Sequence, residues 1–534
     1  MTVVYHTNKK TGVTYAYENE PYWDKEKQQS RAKRKPIGKV DSVTGSITPT
    51  REYQKKSQVN AVNIQKSEPV LMTVVQRNFY GATYLLDQIG QITGVEADLK
   101  ACFPDTYKQI LSLAYYLIME DKNPLFRFEK WGAIHKHPFG EDIPSQRSSE
   151  LFASITCGAQ VNFFRRQGKR RIENEYWAYD TTTISSYSET LRQVQIGKNK
   201  DGDALPQIKL LLVFGEQSGL PFYYRKLAGN IPDSKTVKNF LVELDVLGFH
   251  KAKFVMDRGF YSEKNINGLY KEHLKFLIGA KISLAFVREA LDSVYDAIRT
   301  FDNYNPGHDV YAYTVPSEWD YKQARPYKGD VLKEKRRIYV HLYYNIGKAA
   351  DDERDMDKLL ATLQEELLNN ERNVAHQKQY AEYFDVKRTP VRGIQVMAKD
   401  DAIKKAKRYY GYFALITNEK MDAWTALELY RTKDVVEKAF GNLKERLNLR
   451  RPFVSSELSL DGKLFVEFVS LIYISYIHRR MQDQSLYKDY TLHEVLDKLD
   501  VIECFEYPGK DLIVGEVLDK QSELYVSLGI EPPA

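Results

Sequence analysis

The sequence predicts an α/β protein: a mixed sheet flanked by helices, interrupted by a mixed strand and helix insertion and preceded by a mainly helical region. Three observations carry that prediction. Between Tyr176 and Gly279, short apolar runs alternate with amphipathic stretches. The early runs are joined by tight turns and the later ones by helix-length segments, so antiparallel hairpins come first and crossover units follow. Between Tyr80 and Met119, apolar residues recur instead at spacings of three and four, the helical pattern.

The chain has 534 residues, more than one ordinary domain holds, and a hydrophobic fraction of 43% that supports sizeable cores. A charged fraction of 28% argues against wholesale disorder. Net charge is only +6, but basic residues recur in clusters at Lys25–Lys39, Arg165–Arg171, Lys333–Arg337, Lys404–Arg408 and Lys444–Arg451. One such run is ordinarily a solvated face; their recurrence points to a long polyanionic partner. The three cysteines, Cys102, Cys157 and Cys504, are far apart, which excludes a disulfide framework and a cysteine zinc site. No secretory signal opens the chain, and its greasiest stretch, Leu464–Ile477, is short for a bilayer and contains Glu467. It reads as a buried helix packed behind the helix of residues 425–447, in a cytoplasmic protein with no membrane partner.

In chain order, residues 1–65 read as a basic arm with short strands, and 66–170 as a helical, DNA-binding region with helices at Tyr80–Gly94 and Asp105–Met119. Residues 171–284 hold the first part of the core. Tyr176–Tyr179 is a short aromatic strand ending at Asp180, and Ile208–Phe214 is a continuous apolar strand. Gly219-Leu220-Pro221 turns the chain into a partner strand at Phe222–Lys226. A helix at Ser234–Leu247 leads to a strand at Lys253–Met256, ended by Asp257; a helix at Asn265–His273 leads to a strand at Phe276–Gly279. This layout is that of a ribonuclease H-like core. Residues 285–408 form the insertion. Residues 409–490 return to the core with a strand at Gly411–Thr417 and a long helix at about Thr425–Leu447, and 491–534 form a tail.

Asp180 and Asp257 each follow an apolar strand, where loops open into a crevice. Either alone is also a common turn or helix cap. Glu437 shares a helical stripe with Tyr430, Lys433, Phe440 and Lys444. The stripe fits a solvent face as well as a functional one.

Taken together, YDTTTIS at Tyr179–Ser185, FVMDRGFYS at Phe254–Ser262 and YRTKDVVEKAFGNLKERLNLRRP at Tyr430–Pro452 resemble the three acid motifs of DDE transposases of bacterial insertion sequences. The last fits the signature Y-x2-R-x3-E-x6-K through Tyr430, Glu437 and Lys444. Lys433 stands where the family has Arg, a point charge in place of a rigid fork, with Arg431 beside it. The stretch Tyr15–Gly38 also looks like the opening of relatives in this group.

The resemblance implies that Asp180, Asp257 and Glu437 are catalytic and hold two Mg²⁺ ions, with Mn²⁺ a workable substitute. It implies DNA contacts from Tyr430, Lys433, Lys444, Arg258 and Arg431. It further implies cut-and-paste transposition through a hairpin intermediate. The partners would be double-stranded DNA (the terminal inverted repeats of the element and the target) and a second copy of the chain in the DNA complex. The enzyme would act in the bacterial cytoplasm, on the nucleoid when bound to DNA. Three rival classes are a nuclease that cuts without strand transfer, a DNA-binding protein with silent acids, and a metal hydrolase of small substrates. Basic runs along the whole chain disfavour the last, and the presence of all three acids disfavours the second.

Overall fold

The computed structural model describes residues 2–534 except 25–26, 28, 43, 51–74, 121–122, 172–174, 187–190, 198–204, 250, 326, 390–392, 434–437, 439 and 442–455. The chain forms two compact units, one of residues 1–76 with 506–511 and one of 77–505 with 512–534.

The first unit is an antiparallel sheet of β1 (Thr2–Thr7), β2 (Thr14–Asp24), β3 (Gln29–Val40) and β4 (Ile47–Pro49), in that order. Its apolar interior is small, with Ala16 and Ile37 buried. The basic run of β3 lies against acids of β2. Lys35 is level with Glu18 and Lys33 with Glu20, and Arg31 pairs with Asp24 at 3.6 Å. Opposite charges facing each other across a strand pair attract and offset one another. Part of the positive charge read as a basic arm with short strands therefore faces acids within the sheet.

The larger unit begins within β5 (Gln76–Phe79), and its longer N-terminal helices are α1 (Gly81–Thr93), α2 (Val95–Cys102), α3 (Tyr107–Met119), α4 (Ser145–Ser154) and α5 (Cys157–Lys169). A nine-stranded sheet follows. Its strands are β6 (Trp177–Ser185), β7 (Gln207–Gly215), β8 (Pro221–Ala228), β9 (Lys253–Met256), β10 (Lys275–Ala280), β11 (Tyr304–Asn305), β12 (Val310–Arg325), β13 (Asp330–Tyr344) and, beyond a separate hairpin of β14 (Phe384–Thr389) and β15 (Gly393–Ala398), β16 (Tyr412–Thr417). Across the sheet the order is β11-β12-β13-β16-β10-β9-β6-β7-β8. The β6-β7-β8 hairpins are antiparallel, while β9 runs parallel to β6 and β10 parallel to β9. Helices α6 (Asp233–Leu247) and α7 (Glu263–Lys271) make the two crossovers, and α8 (Ala285–Val294) and α9 (Ile346–Leu368) follow between β10 and β16. Beyond β10, strands β16, β13 and β12 are all antiparallel, so the long hairpin of the insertion extends the same sheet.

Two faces cover the sheet. In β9, Phe254 and Met256 pack in the main core, beside Phe240 of α6, while Val255 packs with Leu277, Leu415 and α10 (Ala423–Arg431). The alternation follows from the two-residue period of a strand. The helix α10 starts at Asp422, whose carboxylate accepts from the Trp424 and Thr425 amides at 2.9 and 3.0 Å. It ends at Arg431 and a turn at Thr432 and Lys433 interrupts the continuous helix expected to about Leu447, most of whose remaining residues lie outside the described ones.

The stretch Leu464–Ile477 is buried within α11 (Glu457–Asp483), as its composition demands. Phe465 meets Phe103 and Phe163, Tyr473 meets Tyr115, and Phe468 meets Tyr224 of β8. The helix is thus the spine of the N-terminal helices and the outer edge of the sheet; most of residues 434–447 of the helix expected in front of it lie outside the described residues. The helix α11 is apolar all round because it is surrounded on every side. The C-terminal stretch adds α12 (Leu492–Asp500), β17 (Glu503–Glu506) and β18 (Ile513–Val514). Among the described residues no helix is long and apolar enough to cross a membrane.

Candidate active site

The register of two parallel strands builds the centre of the site. Tyr179 of β6 is level with Met256 of β9, the last pair of that ladder. The next residue on each chain is an aspartate, Asp180 and Asp257. Adjacent strands lie about 4.8 Å apart, so the two acids are neighbours across the sheet. The same period that turns Val255 towards α10 turns Asp257 there too. Sequence reading placed Asp180 at a strand end, whereas β6 continues to Ser185. The reason is that β7 pairs with β6 along its whole length while β9 leaves it at Met256. Asp180 therefore sits at the mouth opened by the departing strand.

Asp257 is the better defined acid. The Tyr430 hydroxyl donates to its Oδ1 at 2.7 Å, and Lys433 Nζ lies 3.5 Å from the same oxygen. Burial alone would raise the Asp257 pKa, but the Tyr430 hydrogen bond, the Lys433 charge and the Arg258 amide outweigh it, and the carboxyl is held below its ordinary value. Burial and the adjacent Asp257 carboxylate push the Tyr430 phenol well up, so it keeps the proton that it donates. Asp180 accepts from the Thr181 amide at 2.7 Å.

The remaining candidates are placed as follows. Arg258 is exposed, in the turn Arg258–Phe260 directly after Asp257. Ser262 caps α7 by accepting from the Asn265 amide at 3.2 Å. Arg431 is exposed and donates to His308 Nδ1 at 3.0 Å, while His308 Nε2 lies 3.2 Å from Glu428. Glu437 and Lys444 lie outside the described residues.

Three groups near the site escaped the sequence reading. Lys209 stands in an apolar strand with its side chain 6% exposed, and its Nζ lies 2.6 Å from Asp233 Oδ1. The Thr181 hydroxyl donates to the same oxygen at 2.8 Å. Lys209 and Asp233 thereby brace the residue next to Asp180. A lysine inside an otherwise apolar run was the available signal. His308 was not legible, because its link to Arg431 spans 123 residues.

The transposase DDE domain model matches residues 175–465, more than half of the chain and the whole stretch that carries both aspartates. The protein belongs to this family. Among solved structures it is similar to a piggyBac transposase synaptic complex with hairpin DNA, with 9% identity and a TM-score of 0.35 over 74% of this chain and 70% of that one. No curated protein matches it.

As a DDE transposase the protein is a metal-dependent enzyme that cleaves DNA and transfers strands, and the family uses divalent ions. The donors of this site suit a hard divalent cation. They are carboxylate oxygens on neighbouring strands, and Asp257 is held ionised. Among the described residues no cluster of three or more acids, histidines or cysteines forms a metal cage. Among the described residues the candidate site is a pair of aspartates, Asp180 and Asp257.

Proposed function

We propose that the protein is a cut-and-paste DNA transposase whose Asp180 and Asp257, together with Glu437, hold two Mg²⁺ ions, replaceable by Mn²⁺. The observation that carries this reading is the register of β6 and β9, which sets the two aspartates side by side with Tyr430 donating to one of them. The strand order β8-β7-β6-β9-β10, three antiparallel strands followed by two parallel ones, supports a ribonuclease H-like core within the larger sheet.

Bound at these acids, the ions would activate the attacking oxygen and stabilise the leaving 3′ oxygen of an in-line displacement. The chain's own residues prepare the site. Tyr430 and Lys433 keep Asp257 ionised and fixed in orientation. Thr181, braced through Asp233 and Lys209, holds its amide on Asp180. The exposed Arg258 and Arg431, with Lys444, supply positive charge for phosphates next to the scissile bond. Water would cleave one strand at the element end. The freed 3′-OH would attack the phosphodiester of the opposite strand, expelling the 3′ oxygen of the flanking DNA and closing a hairpin. Water would open the hairpin and release the 3′-OH, which would then attack a target phosphodiester and expel a target 3′ oxygen. The DNA substrates are the inverted repeats of the element and the target, bound with the help of the helical region 66–170 and held by a dimer. The setting is the bacterial cytoplasm.

The test is cleavage of supercoiled DNA bearing the element's ends, with and without Mg²⁺, by the wild type and by Glu437→Ala. Metal-dependent cutting at the ends that disappears in the variant is expected. Binding without cutting by the wild type would move the protein to a silent DNA-binding role.

A further inference from the structure

The hydroxyl that contacts Asp257 occupies a notch in the sheet. Strand β10 runs parallel to β9, with Ile278 level with Met256, so Gly279 is level with Asp257. A Cβ at Gly279 would meet the Tyr430 hydroxyl at 2.7 Å, the Arg258 amide nitrogen at 3.0 Å and the Arg258 Cβ at 3.2 Å. The backbone at Gly279 is ordinary extended strand and does not itself require glycine. Space is the reason for the residue. The nearest obstacle is a hydroxyl at the tip of a rigid ring, part-buried and committed to Asp257. It cannot withdraw by a rotamer change confined to its own end, because a phenol oxygen moves only with the whole ring.

We infer that Gly279 is a positioning residue for the metal site: the absence of a side chain on β10 lets the Tyr430 hydroxyl reach Asp257 and hold that carboxylate in its binding orientation. The inference rests on the reading of Asp257 as a metal ligand. Both donors, Tyr430 and Lys433, converge on Oδ1 of that carboxylate. Displacing the hydroxyl removes the shorter of the two side-chain contacts and leaves the carboxylate held, among the described residues, only by Lys433 and the Arg258 amide. Three adjacent strands thus contribute to one site: β6 and β9 an acid each, and β10 a vacancy.

A double-mutant cycle on the full chain tests this. Mn²⁺ binding is read without DNA as the metal concentration at half-maximal thermal shift, and cleavage is read in parallel. In Gly279→Ala the half-maximal Mn²⁺ concentration rises roughly tenfold, the worth of a hydrogen bond to a charged group, and Tyr430→Phe does the same. In the Tyr430→Phe background, Gly279→Ala adds less than about twofold, since the hydroxyl it would strike is already gone. An unchanged Mn²⁺ response in Gly279→Ala, or an equal further loss in the Tyr430→Phe background, would overturn the inference and leave Gly279 a packing residue. If Gly279→Ala does not fold, restoration of soluble protein by Tyr430→Phe supports the inference, and continued misfolding sinks it. Asp257→Asn separates the two levels. With no Mn²⁺ shift in that variant, a negative result at Gly279 counts against the notch alone. A wild-type Mn²⁺ shift in Asp257→Asn overturns the metal-ligand reading and the notch with it.

Discussion

Tyr430 lies in the field of both aspartates but contacts one. It donates to Asp257, and Asp180 is close enough for its charge to contribute to the raised Tyr430 pKa. Removing that hydroxyl costs a charge-assisted hydrogen bond while leaving the ring in place. Tyr430→Phe is therefore expected to slow cleavage by about tenfold to a hundredfold with little change in the thermal midpoint. A matching fall in the midpoint would show that the residue acts through the fold. Lys444 and Glu437 are distinguishable by the same kind of measurement. Lys444→Ala is expected to weaken cleavage less than Glu437→Ala does, because a phosphate contact can be shared among neighbouring cations and a metal ligand cannot. Equal and complete loss in both would place Lys444 in the chemistry itself.

At the scale of elements, α11 is held by contacts that leave no tolerance. A Cβ on Gly462 would lie 2.0 Å from the Phe152 carbonyl oxygen of α4, so Gly462→Ala must push the two helices apart. A loss of about 1–3 kcal/mol in urea unfolding is expected from such overpacking. One helical turn further along, Glu467 is fully buried, with Lys463 Nζ 3.8 Å away. Burial pushes its carboxyl up to about 8, and the nearby Lys463 only partly offsets that. In the unfolded chain the group titrates near its ordinary value of 4.5. Its contribution is thus fully present below about pH 4.5 and is lost as the pH rises through 8. The wild type should lose stability across this window, by at most about 1.4 kcal/mol per pH unit, and Glu467→Gln should flatten the dependence. Parallel pH profiles for the two proteins would refute the assignment.

At the scale of the whole molecule, the distribution of charge matters more than its sum. Binding to DNA ends should weaken steeply with salt, by about a hundredfold or more between roughly 50 and 200 mM, as counterions are released. The β3 lysines are a special case, because Lys33 and Lys35 stand level with Glu20 and Glu18. Lys33→Ala and Lys35→Ala are expected to leave the salt slope nearly unchanged. A drop of about one in the slope for either would show that it meets a phosphate directly. Cleaved, end-labelled DNA on a denaturing gel reports the hairpin step through a slowly migrating product, which is expected under active conditions.

The sequence by itself determined the sheet elements from β6 to β10, because their largely buried strands read as apolar runs, and it located Asp180 and Asp257 directly after two of those runs, at Tyr179 and Met256. It also determined that Leu464–Ile477 is a buried helix, since fourteen residues with one charge have nowhere else to go. Tertiary structure decided what lies beside what. The level register of β6 and β9, the brace from Lys209 through Asp233 to Thr181, the link from Arg431 to His308 and the notch at Gly279 all join residues distant in the chain. It likewise decided that α11 serves the N-terminal helices and that Lys33 and Lys35 of β3 stand level with Glu20 and Glu18 of β2. Local periodicity records which face of an element is apolar. It does not record which surface will cover that face, because the pairing is settled by packing of the whole chain at once.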